Sequence, residues 1–439
     1  MSAGVRATRA PSAVGTAVGR LAPARRAADR GRPVTRLGEL HAPDYSILVA
    51  VVTLVLIGIL MVFSSSAMRA YVQRDDSLAI VGPQILWAAL GLIAMVVLMR
   101  VDYRLLRLVS LPGYGLALGL LALVFAPGLN RIVGGSARWL VLGPLPAIHP
   151  AEIAKLALVV YLAHWLAKRG LRVRGVVTGM LPFLVIVTPV LALVFKEPDL
   201  GTTLVIAATA FTMFFVAGAR LWQFGALAVV GLSAAIVVGL RGYQIDRIRA
   251  FLDPWADAAG AGFHTVQGLI ALGSGGLLGE GLGQGSLAGG QYVPNAWNDF
   301  IFAIIGEELG FFGAASIVGL FLILGYAGAR TALRAPDTFG ALLAVGITGW
   351  LCLQAFINIG VVVALLPVTG ITLPFVSAGG SSLIVSLAAI GILLSISRET
   401  IESGSAEQHA PVDRGRRDGR AHLPGPRRRQ IAPRAPGSA

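Results

Sequence analysis

Apolar runs of about 18 to 25 residues, nearly free of charge, recur along this 439-residue chain. Each is long enough to cross a hydrocarbon core of roughly 30 Å as a helix. They fall at about 46–68, 80–99, 105–127, 149–167, 176–195, 201–219, 222–240, 300–329, 338–364 and 374–396. Lipid offers no hydrogen bonds, so a spanning run must satisfy its own backbone, which helices do. The chain is therefore expected to be an all-α polytopic membrane protein with about ten transmembrane helices. A long outer loop, 241–298, lies between helices 7 and 8. Only 13% of residues are charged, against about a quarter in a soluble protein, so the runs overrule a reading as several soluble domains.

The net charge of +14 gathers at the two ends. Residues 1–44 and 398–439 are rich in Ala, Gly, Pro and Arg, a composition that predicts disordered basic tails flanking a transmembrane domain at 45–397. With both tails in the cytoplasm, the short turns carrying Arg100, Arg104 and Arg107, then Lys168, Arg169, Arg172 and Arg174, then Arg330 and Arg334, all fall inside, as the positive-inside rule requires. The basic tails suit anionic lipid better than nucleic acid, and no nucleic-acid partner is expected. No apolar signal-peptide segment follows the early arginines before Tyr45. The single cysteine, Cys352, lies within an apolar run and has no disulfide partner.

Ionisable side chains inside membrane helices cost about 2.5–3.5 kcal/mol each on insertion scales, so the few present are informative. Asp299 stands where the long Gly-rich outer loop meets an apolar run, in Trp297-Asn298-Asp299-Phe300-Ile301-Phe302, and is the leading candidate for chemistry. A helix starting there would put Glu307 roughly 80° round from it and Glu308 nearly opposite. The fourth span opens His149-Pro150-Ala151-Glu152-Ile153-Ala154-Lys155, which places Glu152 and Lys155 on one face. That pair reads equally as a self-neutralised couple that lets the helix insert or as a cation aimed at an anionic substrate. Arg138, in Ala137-Arg138-Trp139 on the outer side, suits a diphosphate, whose geometry guanidinium matches; Trp139 reads as an interfacial anchor. Gln354 and Asn358, one turn apart, read as packing contacts between helices. The Gly-rich stretch lacks Gly-Lys-Ser/Thr and is no phosphate loop, and the six histidines show no metal-ligand spacing.

Taken together, several ordered blocks resemble the SEDS family of peptidoglycan glycosyltransferases. They are Ala137-Arg138-Trp139 with Leu142-Gly143-Pro144, Pro150 to Lys155, Glu197-Pro198-Asp199-Leu200-Gly201-Thr202, Phe251 to Trp255, Gly262-Phe263-His264 and Gly273 to Gly276. Asn298 to Phe302 with Gly306 to Gly310, Leu366 to Gly370, and Pro374 to Ser382 complete the set. The resemblance covers about residues 45–397, and Asn298-Asp299-Phe300 is closer to the division-type members than to the elongation type. His149 stands where glutamine is common and Ala151 where serine is. The resemblance implies polymerisation of lipid II on the outer face of the bacterial cytoplasmic membrane, at the division septum. Asp299 would be the general base of an inverting displacement of undecaprenyl diphosphate. It further implies substrate contacts at Arg138, Glu152, Lys155, Arg247, His264, Gln267 and Ser377, with room for a divalent cation, Mg or Mn. The implied partners are a class B penicillin-binding transpeptidase and divisome subunits. The competing class is a lipid II flippase, which would favour inverted repeats and helices broken near mid-bilayer.

Overall fold

The computed structural model describes residues 42–133, 136–141, 147–239, 243–285 and 297–399. The basic tails, Gly134-Gly135, Leu142-Gly143-Pro144 and the Gly289 to Ala296 approach to Asp299 lie outside the described residues. Twelve α-helices run through the rest. These are α1 (Tyr45–Arg74), α2 (Val81–Arg100), α3 (Leu106–Leu123), α4 (Pro150–Arg169), α5 (Leu181–Lys196) and α6 (Leu200–Val216), then α7 (Leu221–Gly239), α8 (Tyr243–Leu252), α9 (Phe263–Ser274), α10 (Ile301–Arg334), α11 (Thr338–Val362) and α12 (Gly380–Arg398). Among the described residues, eight helices are long and apolar enough to cross a membrane. The 17-residue α6 and the 19-residue α7 take the two remaining expected positions.

Local chemistry sets several helix ends. Asp44, Asp199 and Asp337 cap α1, α6 and α11 by accepting from the backbone N–H of Ser46, Thr202 and Gly340, which satisfies donors that a helix start leaves orphaned. Pro150 opens α4, where its missing N–H costs nothing. The lateral pairings that build the bundle are chiefly α2 with α12, α10 with α11, α3 with α4 and α1 with α10.

Four boundaries differ from the sequence expectation. α1 continues to Arg74 rather than ending near 68, because nothing in Met68 to Gln73 breaks a helix. The outer loop is partly helical, with α8 and α9 inside it. The last span starts at Gly380, and residues 374–379 form a turn before it. A small antiparallel hairpin, β1 (Asn130–Val133) with β2 (Ser136–Leu140), precedes α4 and pairs Arg131 with Trp139.

A fifth difference, and the largest, is in α10. Its 34 residues would measure about 51 Å at 1.5 Å per residue, too long for one bilayer crossing, and it is broken at Gly310 (φ 69°, ψ −166°). Phe311–Arg334 alone is about 36 Å long and spans. Ile301 through Glu308 is buried on every side. The backbone groups freed by the break are not left orphaned: Gly276 and Leu277 carbonyls accept from Phe311 and Phe312, while Glu280 and Gly281 N–H groups donate to Glu307 and Glu308 carbonyls. Irregular backbone at such a place survives because protein surrounds it.

Gly310 occupies a conformation open to glycine alone, and a Cβ there would sit 2.6 Å from the Leu277 carbonyl oxygen and closer still to the Gly279 nitrogen. Gly310→Ala is expected to lower stability by about 2–5 kcal/mol, from backbone strain and overpacking together. Gly319, whose Cβ would meet nothing within 4 Å, supplies the control. Thermal unfolding in detergent should show a large drop for Gly310→Ala and none for Gly319→Ala.

Candidate active site

Asp299 lies in the turn before α10, with Phe300 as the helix N-cap. The helical-wheel relation to Glu307 and Glu308 therefore does not apply, since the helix starts two residues later. Both glutamates are buried instead, and Glu308 accepts from Ser64 Oγ on α1 at 2.7 and 2.8 Å. The Asp299 side chain is half-buried. Burial pushes its carboxyl above the ordinary aspartate range, against the pull of its own backbone N–H, His264 and Arg247.

The cationic and aromatic flank of Asp299 comes from the outer segment. Arg247 on α8 donates Nη1 to the Val368 carbonyl at 3.0 Å. His264 on α9 is exposed and lies with its ring 5.8 Å from that of Phe300. Gln267, one turn further along α9, is half-buried. Residues 366–373 pass beside them, and Gly370 (φ 73°) faces the Asp299 carboxylate, which a Cβ there would approach to 3.8 Å.

α11 holds this loop in place. Asn358 Nδ2 donates to the carbonyls of Asp299 (2.8 Å) and Ile371 (2.7 Å), and Gln354 Nε2 donates to Thr372 O at 3.0 Å. Gln354 Oε1 in turn accepts from Lys155 Nζ at 2.7 Å and Trp350 Nε1 at 2.9 Å. The two residues read as helix–helix contacts are thus what connects the α4 ion pair to the backbone under Asp299.

Lys155 is 3% exposed and Glu152 is 6% exposed. Lys155 Nζ bonds Glu152 at 2.9 Å and lies 5.0 Å from the Trp350 ring centre, while Ser382 Oγ donates to the other Glu152 oxygen. The pair is thus neutralised within the protein, the first of the two readings left open by the sequence. Ser377 is likewise occupied: its hydroxyl accepts from Leu373 N at 2.8 Å, and Gln84 on α2 donates to its carbonyl at 3.2 Å. It fixes the turn before α12 rather than facing open space.

Arg138, on β2, is half-buried and donates Nε and Nη2 to the carbonyls of Glu197 and Pro198 at 3.2 and 2.6 Å. Neutral carbonyls orient the guanidinium without cancelling its charge, so it stays electrostatically available to an anion. The Glu197-Pro198-Asp199 turn beside it was not singled out by chemistry in the sequence, although it carries a family block. Glu197 is 1% exposed, and neither carboxyl oxygen has a partner among the described residues. Burial, with Asp199 adding to it and Arg138 opposing, raises its pKa to about 8. His149 Nε2 stands 3.8 Å from Asp199, with Trp139 edge-on to the ring at 5.3 Å, and burial lowers the His149 pKa. Gly201, just beyond, packs so closely on Thr369 and Ile371 that no side chain fits, which ties this turn to the loop beneath Asp299.

Glu197 carries a pH signature. Its carboxyl ordinarily titrates near 4.5 and here near 8, so between those values the folded chain binds the extra proton and stability falls as pH rises. Glu197→Gln should flatten that slope, read as unfolding temperature in detergent from about pH 5 to 9.

Residues 45–402 match the family described as cell cycle proteins of the FtsW/RodA/SpoVE type. The chain belongs to that family. It is 43% identical to stage V sporulation protein E of Bacillus subtilis (strain 168), over 81% of this chain and 97% of that one. It is 41% identical to the probable peptidoglycan glycosyltransferase FtsW of Geobacter metallireducens, over 82% and 96%. Among solved structures it is similar to a chain of a peptidoglycan synthase complex that coordinates polymerization and crosslinking, at 31% identity and a TM-score of 0.67, covering 82% of this chain and 99% of that one. The rod shape determining protein RodA of Thermus thermophilus follows at 29% identity and a TM-score of 0.61, covering 82% and 98%. The family match spans Arg138, the Glu152–Lys155 pair, Glu197 to Thr202 and Asp299 alike, so the turn, loop and ion pair described above all belong to the shared domain.

Proposed function

We propose that this chain is a peptidoglycan glycosyltransferase of the division type, polymerising lipid II at the outer face of the bacterial cytoplasmic membrane with both termini in the cytoplasm. The observation that carries the reading is Asp299: a carboxylate in a turn, with a raised pKa, set against Arg247 and His264 and anchored through its carbonyl by Asn358. The relatives named as peptidoglycan glycosyltransferases support the reaction class. FtsW relatives support a role in division, and stage V sporulation protein E shows that a sporulation role shares the same domain.

In this reading the acceptor sugar hydroxyl attacks the anomeric carbon of the donor. A new glycosidic C–O bond forms, the bond to undecaprenyl diphosphate breaks, and Asp299 takes the hydroxyl proton. A carboxylate with a raised pKa is a stronger base for that proton. A single displacement inverts the anomeric centre. Arg138 and Arg247 are the cations placed to offset charge on the departing diphosphate, with His264 and Gln267 lining the outer segment for the sugars. Glu152, Lys155 and Ser377 act through position, holding α4, residues 366–373 and the turn before α12. Among the described residues no three His, Cys, Asp or Glu side chains converge on a metal position; a divalent cation, Mg or Mn, would be held chiefly by the diphosphate oxygens of the substrate and would add to the charge stabilisation there. The partner is a class B penicillin-binding transpeptidase with other divisome subunits, consistent with the similar chain that sits in a synthase complex.

The flippase reading gains one observation, the broken α10. Its break, however, is sealed by backbone from Gly276 to Gly281 and offers no half-helix end to a substrate, unlike the discontinuous helices of transporters. The deciding experiment is a gel of glycan products from labelled lipid II with purified chain and its transpeptidase partner. Ladders support a polymerase; lipid II transport into sealed vesicles without ladders overturns it.

A further inference from the structure

At the end of the bundle that carries Arg100, Arg104, Lys168 and Arg172, a cleft of about 220 Å³ opens between α3, α4 and the start of α11, lined by Arg107, His164, Ala167, Lys168, Thr338 and Phe339. The positive-inside rule makes this the cytoplasmic end, far in sequence from Asp299 and not used by the glycosyl transfer. We propose that the cleft binds the phosphate headgroup of an anionic membrane lipid.

Charge and shape both favour this occupant. Arg107 is fixed in position, with Nη2 on Asp337 at 2.9 Å and its guanidinium 4.8 Å from the Phe339 ring centre. Its Nε is buried with no partner among the described residues, leaving one donor of a rigid fork unspent. His164 is held by Ser110 Oγ at 2.5 Å and edge-on to Phe339.

The charged groups around the cleft do not cancel. Arg104 is taken by Glu399 at 2.7 Å and Asp337 at 3.5 Å, and Asp337 also accepts from Tyr103 and Arg107. Lys168, exposed at the rim, makes no ion pair among the described residues, so it is the surplus cation. A basic pocket between helices on the cytoplasmic side is the usual form of a lipid phosphate site.

A lipid rather than a free phosphate fits the surroundings. Leu111, one turn from Arg107 on the same face of α3, is 62% exposed, and Leu108 beside it is 77% exposed, a surface suited to acyl chains.

The test uses the full chain in neutral detergent, titrated with short-chain phosphatidylglycerol, phosphatidylcholine of the same chain length, and inorganic phosphate. Binding is read by thermal shift and by native mass spectrometry. Phosphatidylglycerol is expected to bind and stabilise where phosphatidylcholine does not. Lys168→Gln should weaken it about fivefold, the effect of one cation near a phosphate surface, and Arg172→Gln, outside the cleft, should not. Equal binding of the two lipids, equal weakening by the two substitutions, or full protection by inorganic phosphate alone would overturn the proposal.

Discussion

Asp299→Asn is expected to stop glycan synthesis almost completely. Loss of a positioned general base typically costs about 10² to 10⁴ in rate, which leaves no visible ladder on a gel of lipid II products. The same protein should keep the wild-type unfolding temperature or exceed it, because burial already disfavours the carboxylate and the anchor to Asn358 uses the backbone carbonyl rather than the side chain. A well-folded, silent variant identifies a chemical role; a variant that polymerises normally removes Asp299 from the reaction. Wild-type rate should also fall on acidification at a pH above the ordinary aspartate range. The base works only when deprotonated, and its folded pKa is raised.

The second large effect is expected at Lys155, and on stability first. Lys155→Ala would leave Glu152 buried with only Ser382 beside it, and breaking a buried ion pair from one side costs about 3–5 kcal/mol. The double change Glu152→Gln with Lys155→Met removes both charges and should recover most of that loss. Detergent unfolding curves of the single and double variants measure the difference directly. Activity should lag behind stability in the double variant, because Gln354 loses the ammonium that orients it and Gln354 also bonds Thr372 in the loop under Asp299. Full recovery of both properties would show that the pair serves insertion alone.

The spans were legible because a bilayer demands a long apolar run wherever a helix crosses, and no packing detail alters that demand. Asp299 was legible for the complementary reason: a carboxylate next to such a run is costly. The break in α10 was hidden, because residues 300–329 read as one span despite Glu307 and Glu308, and glycine is ordinary in membrane helices. Only the pairing of Gly310 with residues far back in the outer segment makes the break stable, and such a pairing leaves no local periodicity.

The same limit applies to individual side chains. Residue type left Lys155 open between a neutralised pair and an anion binder and placed Arg138 as an anion binder; Lys155 is enclosed by Glu152 and Gln354, 3 and 199 residues away, and by the Trp350 ring. Arg138 rests on carbonyls that any sequence would supply. Glu197 drew no chemical notice, since its burial depends on how β2, α5 and α6 converge.

The backbone bonds across the break in α10 also set an order for biogenesis. The groups that complete Ile301 to Leu309 come from Gly276 to Gly281, which leaves the ribosome earlier. Until that segment arrives, the first turns of α10 cannot rest in the bundle without orphaned carbonyls and amides. The earlier segment is thus a folding template for the helix made after it, and the buried start of α10 settles only once its own predecessor is in place.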